Sequence, residues 1–278
     1  MRKLLRADLA RLWKNKVFWL CAAFMAGAAV LMALNGYRDA LAYPEEHLPL
    51  DHVFFQYAPL AGGVCAIFTS LFLGTGYSDG AIRNKIAVGH TRSAVYLASG
   101  TVSLTAGVLM NGAWVLAMLA VGVPLLGWPE CGGLMLLAYL LISVCMIAAF
   151  SAVFTLIGML DQNKAGAAVA ALLCFLLLLL VAASYCYNRL QEPEMYSAAT
   201  IVMNGGVELS DPMPNPDYLQ GDLRKVFTFL VDFLPTGQGI QMSELEASHP
   251  LLLPAYSLFI AFAATGAGLA LFRRKDLK

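Results

Sequence analysis

Four histidines and a scatter of carboxylates are the residues here with the chemistry to hold a metal or move a proton. His47 and His52 share a stretch with Glu45, Glu46 and Asp51, while His90 and His249 stand alone. A zinc site needs three or four ligands converging at about 2 Å. A short mixed run between apolar segments does not impose that convergence, so these read as solvated loop residues and no metal is expected. No His-Glu-x-x-His, Gly-x-Ser-x-Gly or Gly-x-x-x-x-Gly-Lys-Ser/Thr occurs. Zinc hydrolysis, a nucleophile elbow and a phosphate loop are therefore not encoded in their usual forms. No catalytic residue is expected, the chain is not expected to be an enzyme, and nothing points to nucleic acid.

One segment spaces charged and turn residues for a different task. Residues 77–92 read Tyr-Ser-Asp-Gly-Ala-Ile-Arg-Asn-Lys-Ile-Ala-Val-Gly-His-Thr-Arg. Asp79 is placed to cap a short helix from Gly80 to about Val88, and Gly89 to stop it. On that helix Ile82, Ile86 and Ala87 would face lipid or the bundle. Arg83, Asn84 and Lys85 would face water. Such a helix suits docking of a soluble partner; a plain basic loop is the simpler reading.

The elements around this segment are set by where charges are missing. Residues 17–35, 54–77, 97–126, 133–159, 165–187 and 251–272 contain no Asp, Glu, Lys or Arg. Crossing a bilayer core takes about 20 apolar helical residues. A charge at mid-membrane costs about 3 kcal/mol on the insertion scale. With 59% hydrophobic and 13% charged residues, the 278-residue chain lies far from the usual soluble composition. We expect an all-α membrane protein with six transmembrane helices and a single membrane domain over 1–278. The first apolar run is longer than a cleavable signal core, so an uncleaved first helix is expected.

The loops alternate in charge. Of 18 basic residues, only Arg38, Arg189, Arg224 and Lys225 fall on one side. Of 18 acids, only Asp8, Asp79, Asp161 and Asp276 fall on the other. The positive-inside rule then places both termini in the cytoplasm. The absence of intramembrane carboxylates and lysines argues against a self-powered, proton- or sodium-driven transporter.

Residues 1–16 read as an amphipathic surface helix, with Leu5, Leu9, Leu12 and Trp13 on one face. A basic flank that merely sets orientation fits equally well. Small residues recur in the first span, where Ala23 and Gly27 have small-xxx-small spacing, and at the start of the fifth, with Ala167 and Ala171. They suit close packing within one subunit or an interface between two. Residues 188–250 form one large external loop. Within it 223–234 has helical periodicity, lying on the outer surface or dipping part way in, and Pro235-Thr236-Gly237-Gln238-Gly239 is expected to end it. Cys21, Cys65, Cys145 and Cys174 lie in apolar stretches. Cys131 and Cys186 would pair only if their helix ends met.

The acid-Gly-x-Ile-Arg-Asn-Lys stretch followed by Gly-His-Thr-Arg resembles the segment after the second helix of bacterial type-2 ABC transporter permeases. The ending Gly266-x-Gly268 with Phe-Arg-Arg-Lys-Asp-Leu at 272–277, the basic helix before span one, and Phe-Leu-Pro-Thr-Gly-Gln at 233–238 resemble that family too. The likeness implies a permease subunit of an exporter, paired with an identical or sister permease and with two soluble ATP-binding subunits. ATP and magnesium would reside in those partners, with no cofactor in this chain. Asp79, Gly80, Ile82, Arg83, Asn84, Lys85, Gly89 and Arg92 would then form the coupling helix seated in the ATPase. Ala23, Gly27, Ala167 and Ala171 would face the second permease. The cargo implied is amphipathic or lipid-like, such as an antimicrobial peptide, moved across the bacterial cytoplasmic membrane. The alternative is a non-transporting scaffold or sensor that binds a ligand through the external loop.

Overall fold

A computed structural model describes residues 2–45, 48–190, 193–196, 199–201, 207–209, 212–247 and 249–275. Glu46 and His47 of the mixed His/acid run, and Asp276 and Lys278 of the tail, lie outside the described residues. The helices are α1 (Arg2–Trp13), α2 (Lys16–Ala42), α3 (Asp51–Phe54), α4 (Ala58–Ser78), α5 (Ala81–Ala87), α6 (Arg92–Ala117) and α7 (Val123–Leu126). They continue with α8 (Gly133–Leu160), α9 (Lys164–Leu180), α10 (Gly221–Phe233), α11 (Pro235–Ser243) and α12 (Leu253–Arg274). Six segments among the described residues are long and apolar enough to cross a membrane, matching the six charge-free stretches. This is a multi-pass membrane protein.

Local chemistry explains the starts and breaks. Asn15 accepts from the Val17 and Phe18 amides, Thr91 from Ala94, and Asn163 from Ala165, so α2, α6 and α9 each begin on a side-chain cap. Pro residues occupy the first turns of α4, α11 and α12, where the missing N–H costs nothing. Pro124 comes late in the third span, and the helix widens to a π turn over Met118–Gly122 just before it.

The helices α4 and α8 form the centre. In the second span 67% of the most apolar window is buried, against 22% in the fifth and sixth. Around this centre α9 packs on α4, α12 on α8, and α2 on α6. Phe68, Phe72, Phe150, Phe154 and Trp114 fill the interior. Outward faces stay apolar, as at Leu20, Phe24 and Leu31, because lipid is their solvent.

The segment between the fifth and sixth spans holds short strands among its described residues. Strands β1 (Glu194–Tyr196) and β4 (Pro212–Pro214) pair antiparallel, and β2 (Ala199–Ile201) pairs with β3 (Val207–Leu209) inside them. The helix α10 ends at Phe233, just ahead of Pro235–Gly239 as expected, but that run does more than stop it. These residues also begin α11, and every residue from Pro235 to Ser243 is buried. The piece that enters the bundle is α11, packed against α4 and α8, while α10 stays half exposed. Gly237 permits this: a Cβ there would lie 2.3 Å from the Val231 carbonyl oxygen.

Candidate functional site: the basic end of the bundle

One end of the bundle gathers α1, α5, the turn 161–163 and the end of α12. Lys85 donates to Asp8 at 2.5 Å. Tyr77 donates to the Met159 carbonyl, and Lys275 Nζ to the Met159 and Leu160 carbonyls. Arg92 donates to the carbonyls of Arg273 and Lys275. The helix α1 and the end of α12 therefore lie at the same end of the bundle.

The helix α1 is anchored rather than afloat. Its inward face is Leu4, Asp8 and Leu12, all buried, with Leu5 and Leu9 alongside. Trp13, expected on the apolar face, is 51% exposed and packs edge-on against Phe18. Arg11 reaches under the bundle, donating to the Phe72 carbonyl at 2.8 Å with its guanidinium 4.4 Å from the Phe72 ring. Burial lowers the Arg11 pKa, opposed by the Asp8 and Asp79 charges. Burial also lowers that of Lys275, with Asp161 opposing.

The residues singled out after the second span take three different roles. Asp79 does not cap α5. It terminates α4, its amide bonding the Thr75 and Tyr77 carbonyls, and Gly80 at φ 68° provides the N-cap position instead. A left-handed turn this tight favours glycine. Gly89, at φ 97°, follows α5 at its other end. Ile82 is buried as expected, but Ala87 is exposed. Lys85 does not face water, since its side chain is 16% exposed and holds Asp8, itself 3% exposed. Arg92 is engaged by the last turn of α12. Arg83 and Asn84 alone of the basic-polar set remain exposed, on the outer surface of α5.

The small-residue positions divide likewise. Ala167 and Ala171 are fully buried within this chain, where α9 lies on α4, so they are not available to a second copy. Ala23 and Gly27 lie on the exposed face of α2, with no atom within 4 Å of a Cβ at Gly27.

Sequence reasoning missed the polar residues buried at the opposite end. Asp51 is no solvated loop group. It is 4% exposed and accepts from the Glu130 and Cys131 amides at 2.8 Å each, tying the 127–132 turn to the start of α3. Asp51→Ala is expected to lower stability by about 2 kcal/mol, because two amides lose a charged acceptor. Thermal unfolding in detergent reads this directly. Asp232 is 4% exposed, accepts from Gln241 at 3.0 Å and faces His249 Nδ1 at 2.9 Å. Gln238, fully buried, donates to the Asp232 and Leu253 carbonyls and accepts from Ser257. Asp232 and His249 border a cavity of about 480 Å³ with Arg224, Lys225 and Tyr256. The signal for Asp8 was present as Leu4, Asp8 and Leu12 at helical spacing. Nothing local announced that Asp232 and His249 would meet.

Among the described residues no three His, Cys, Asp or Glu side chains come together as a metal site, and the six cysteines are free. No protein-family model matches the chain, and no curated protein matches it.

Proposed function

We propose that this chain is the membrane-spanning subunit of an ATP-driven exporter of the type-2 ABC class in the bacterial cytoplasmic membrane. The motor is a separate soluble ATP-binding subunit carrying ATP and magnesium, and a second permease, identical or sister, completes the pathway. The observation that carries this reading is the build of α5. Its outer face offers Arg83 and Asn84, while Lys85 on its inner side is clamped to Asp8 of α1. A docking helix transmits motion only if it is fixed to the body it moves, and this one is held to the bundle through α1 and α4.

In this scheme ATP binding draws two ATPases together. The α5 helices follow them and shift the bundle between two states, each stabilised by its own contacts. The basic end faces the cytoplasm, in keeping with the positive-inside bias. The cargo is amphipathic or lipid-like, such as an antimicrobial peptide, given the apolar character of the spans. The exposed α2 face bearing Ala23 and Gly27 is the surface left for the second permease.

The test is copurification with the ATP-binding subunit followed by substrate-stimulated hydrolysis. The double variant Arg83→Glu, Asn84→Asp reverses charge at the outer face and touches no internal bond. It is expected to weaken association or stimulation about tenfold, as lost charge complementarity does at an interface, with unfolding temperature unchanged. Unaltered stimulation would remove α5 as the coupling element.

A second reading is a ligand-binding sensor or scaffold with no motor. The observation favouring it is the external cavity beside Asp232 and His249. An ATP-binding protein encoded in the adjacent reading frame distinguishes the exporter from the sensor.

A further inference from the structure

A cavity of about 480 Å³ separates α10 from the segment that opens α12, a volume typical of small-molecule sites. One face of α10 supplies Arg224, Lys225, Phe229 and Asp232, and His249, Leu252 and Tyr256 stand opposite. Part of the lining is apolar. The Phe229 and Tyr256 rings meet edge to face with centroids 5.7 Å apart, and Leu252 adds an aliphatic surface.

The charged part of the lining presents cations. Asp232 is its one carboxylate among the described residues, and it is already spent. Its side chain is buried, Oδ1 accepts from Gln241 at 3.0 Å, and Oδ2 faces His249 Nδ1 at 2.9 Å. A carboxylate only accepts, so Nδ1 carries the hydrogen of that contact and Nε2 is the nitrogen left for a ligand. The His249 side chain is half-exposed, within reach of solvent. Lys225 is exposed, and its bond to the equally exposed Asp222 holds it only weakly. Arg224 is half-buried, fixed by the Leu190 carbonyl at 2.9 Å and by the Tyr218 ring 4.9 Å away. Its donors serve those contacts, and what it gives the cavity is positive charge. Lys225 and Asp232 stand two turns apart on α10, about 10 Å at 1.5 Å per residue. The lysine stem and one tetrahedral anion close that gap.

We propose that this cavity binds a phosphate monoester bearing an apolar group. The phosphate sits between Lys225 and His249 in the field of Arg224, and the apolar part lies on Phe229, Leu252 and Tyr256. A phosphate monoester loses its second proton near pH 6, so it meets both states of the imidazole. Its oxyanion accepts from Nε2–H of the imidazolium, and its P–OH donates to Nε2 of the neutral ring. Asp232 holds the ring in place and supports its charge. The proposal deepens the sensor reading and rests on it only for the purpose of the cavity. The two fail separately: the sensor reading falls to a copurifying ATP-binding subunit, the proposal to the binding measurement below.

Titration calorimetry of the full chain in detergent tests it with phenyl phosphate against benzyl alcohol. Phenyl phosphate is expected to bind at least about tenfold more tightly, as charge-assisted bonds require. Lys225→Gln should weaken it about tenfold. His249→Asn should do the same, since the amide nitrogen can keep the bond to Asp232 while Nε2 is removed. Vesicles of equal phosphatidic acid and phosphatidylcholine separate the sources, read by native mass spectrometry of the extracted protein. Selective retention of phosphatidic acid, itself a phosphate monoester, assigns a lipid ligand; binding of phenyl phosphate alone assigns a soluble one, and either upholds the proposal. Binding of neither overturns it, as does equal affinity for phenyl phosphate and benzyl alcohol. A folded variant that binds phenyl phosphate as the native protein does also overturns it. Should His249→Asn not fold, the exposed Lys225→Gln decides.

Discussion

Gly237→Ala is expected to cost about 3 kcal/mol or to prevent folding. The added Cβ would lie 2.3 Å from the Val231 carbonyl oxygen and 2.9 Å from the Val231 carbonyl carbon and Cα. These are backbone atoms of α10, so no side chain can swing aside. Relief requires the α10–α11 corner to open, and forcing atoms into a packed interior costs about 1–3 kcal/mol or more. The corner cannot open without consequence. It carries Gln238 and Gln241, whose bonds to Asp232, Leu253 and Ser257 satisfy polar groups in a buried helix. Gly239 gives a second close approach, to the Ala58 carbonyl at the start of α4, with 2.9 Å to a Cβ. Gly266→Ala is the control. Nothing lies within 4 Å of that position, so alanine there should be neutral or gain up to about 1 kcal/mol of helix propensity. Thermal unfolding in one detergent measures both, and equal midpoints for the two variants would refute the tight corner.

The second large effect belongs to Lys85. Lys85→Met is expected to destabilise by about 3 kcal/mol, because it strands the Asp8 carboxylate. Asp8 is 3% exposed, and its second oxygen already lacks a hydrogen-bond partner. Arg11 adds a favourable charge nearby but is committed to the Phe72 carbonyl. Removing both partners, as Asp8→Leu with Lys85→Met, should recover most of the loss, since an apolar pair of similar volume often replaces a buried ion pair at little cost. A double-mutant cycle isolates the coupling. Additive losses would mean that the pair is not coupled and that α1 is held without it. On the exporter reading the single variant should also depress substrate-stimulated hydrolysis, because α5 loses its tie to α1.

These predictions concern residues that local sequence treated differently. Local sequence puts Lys85 on the wet face of a short helix, beside Arg83 and Asn84. Its partner lies 77 positions away in α1, and no local pattern encodes that meeting. Asp79 carried a cap signature, yet the chain spent it on ending α4, and Gly80 took the N-cap position. The run 235–239 carried the marks of a stop, with Pro and two Gly. Pro is equally at home in the first turn of a helix, and the glycines serve close approach to Val231 and Ala58. Which use prevails depends on what stands opposite, and that is tertiary.

What the sequence by itself determined is the solvent of each segment. Excluding charge from six long stretches fixes six helices, because in lipid the backbone must satisfy its own hydrogen bonds. Six crossings bring both ends together, and the segregation of Lys and Arg distinguishes the two ends. The tertiary structure alone decided which polar residues go inside. Asp8, Asp51, Asp232 and Gln238 are buried because distant donors and acceptors come to meet them, and burial without those partners would be prohibitive. Composition and periodicity describe a residue's neighbours along the chain; the cost of burying a charge is set by its neighbours in space.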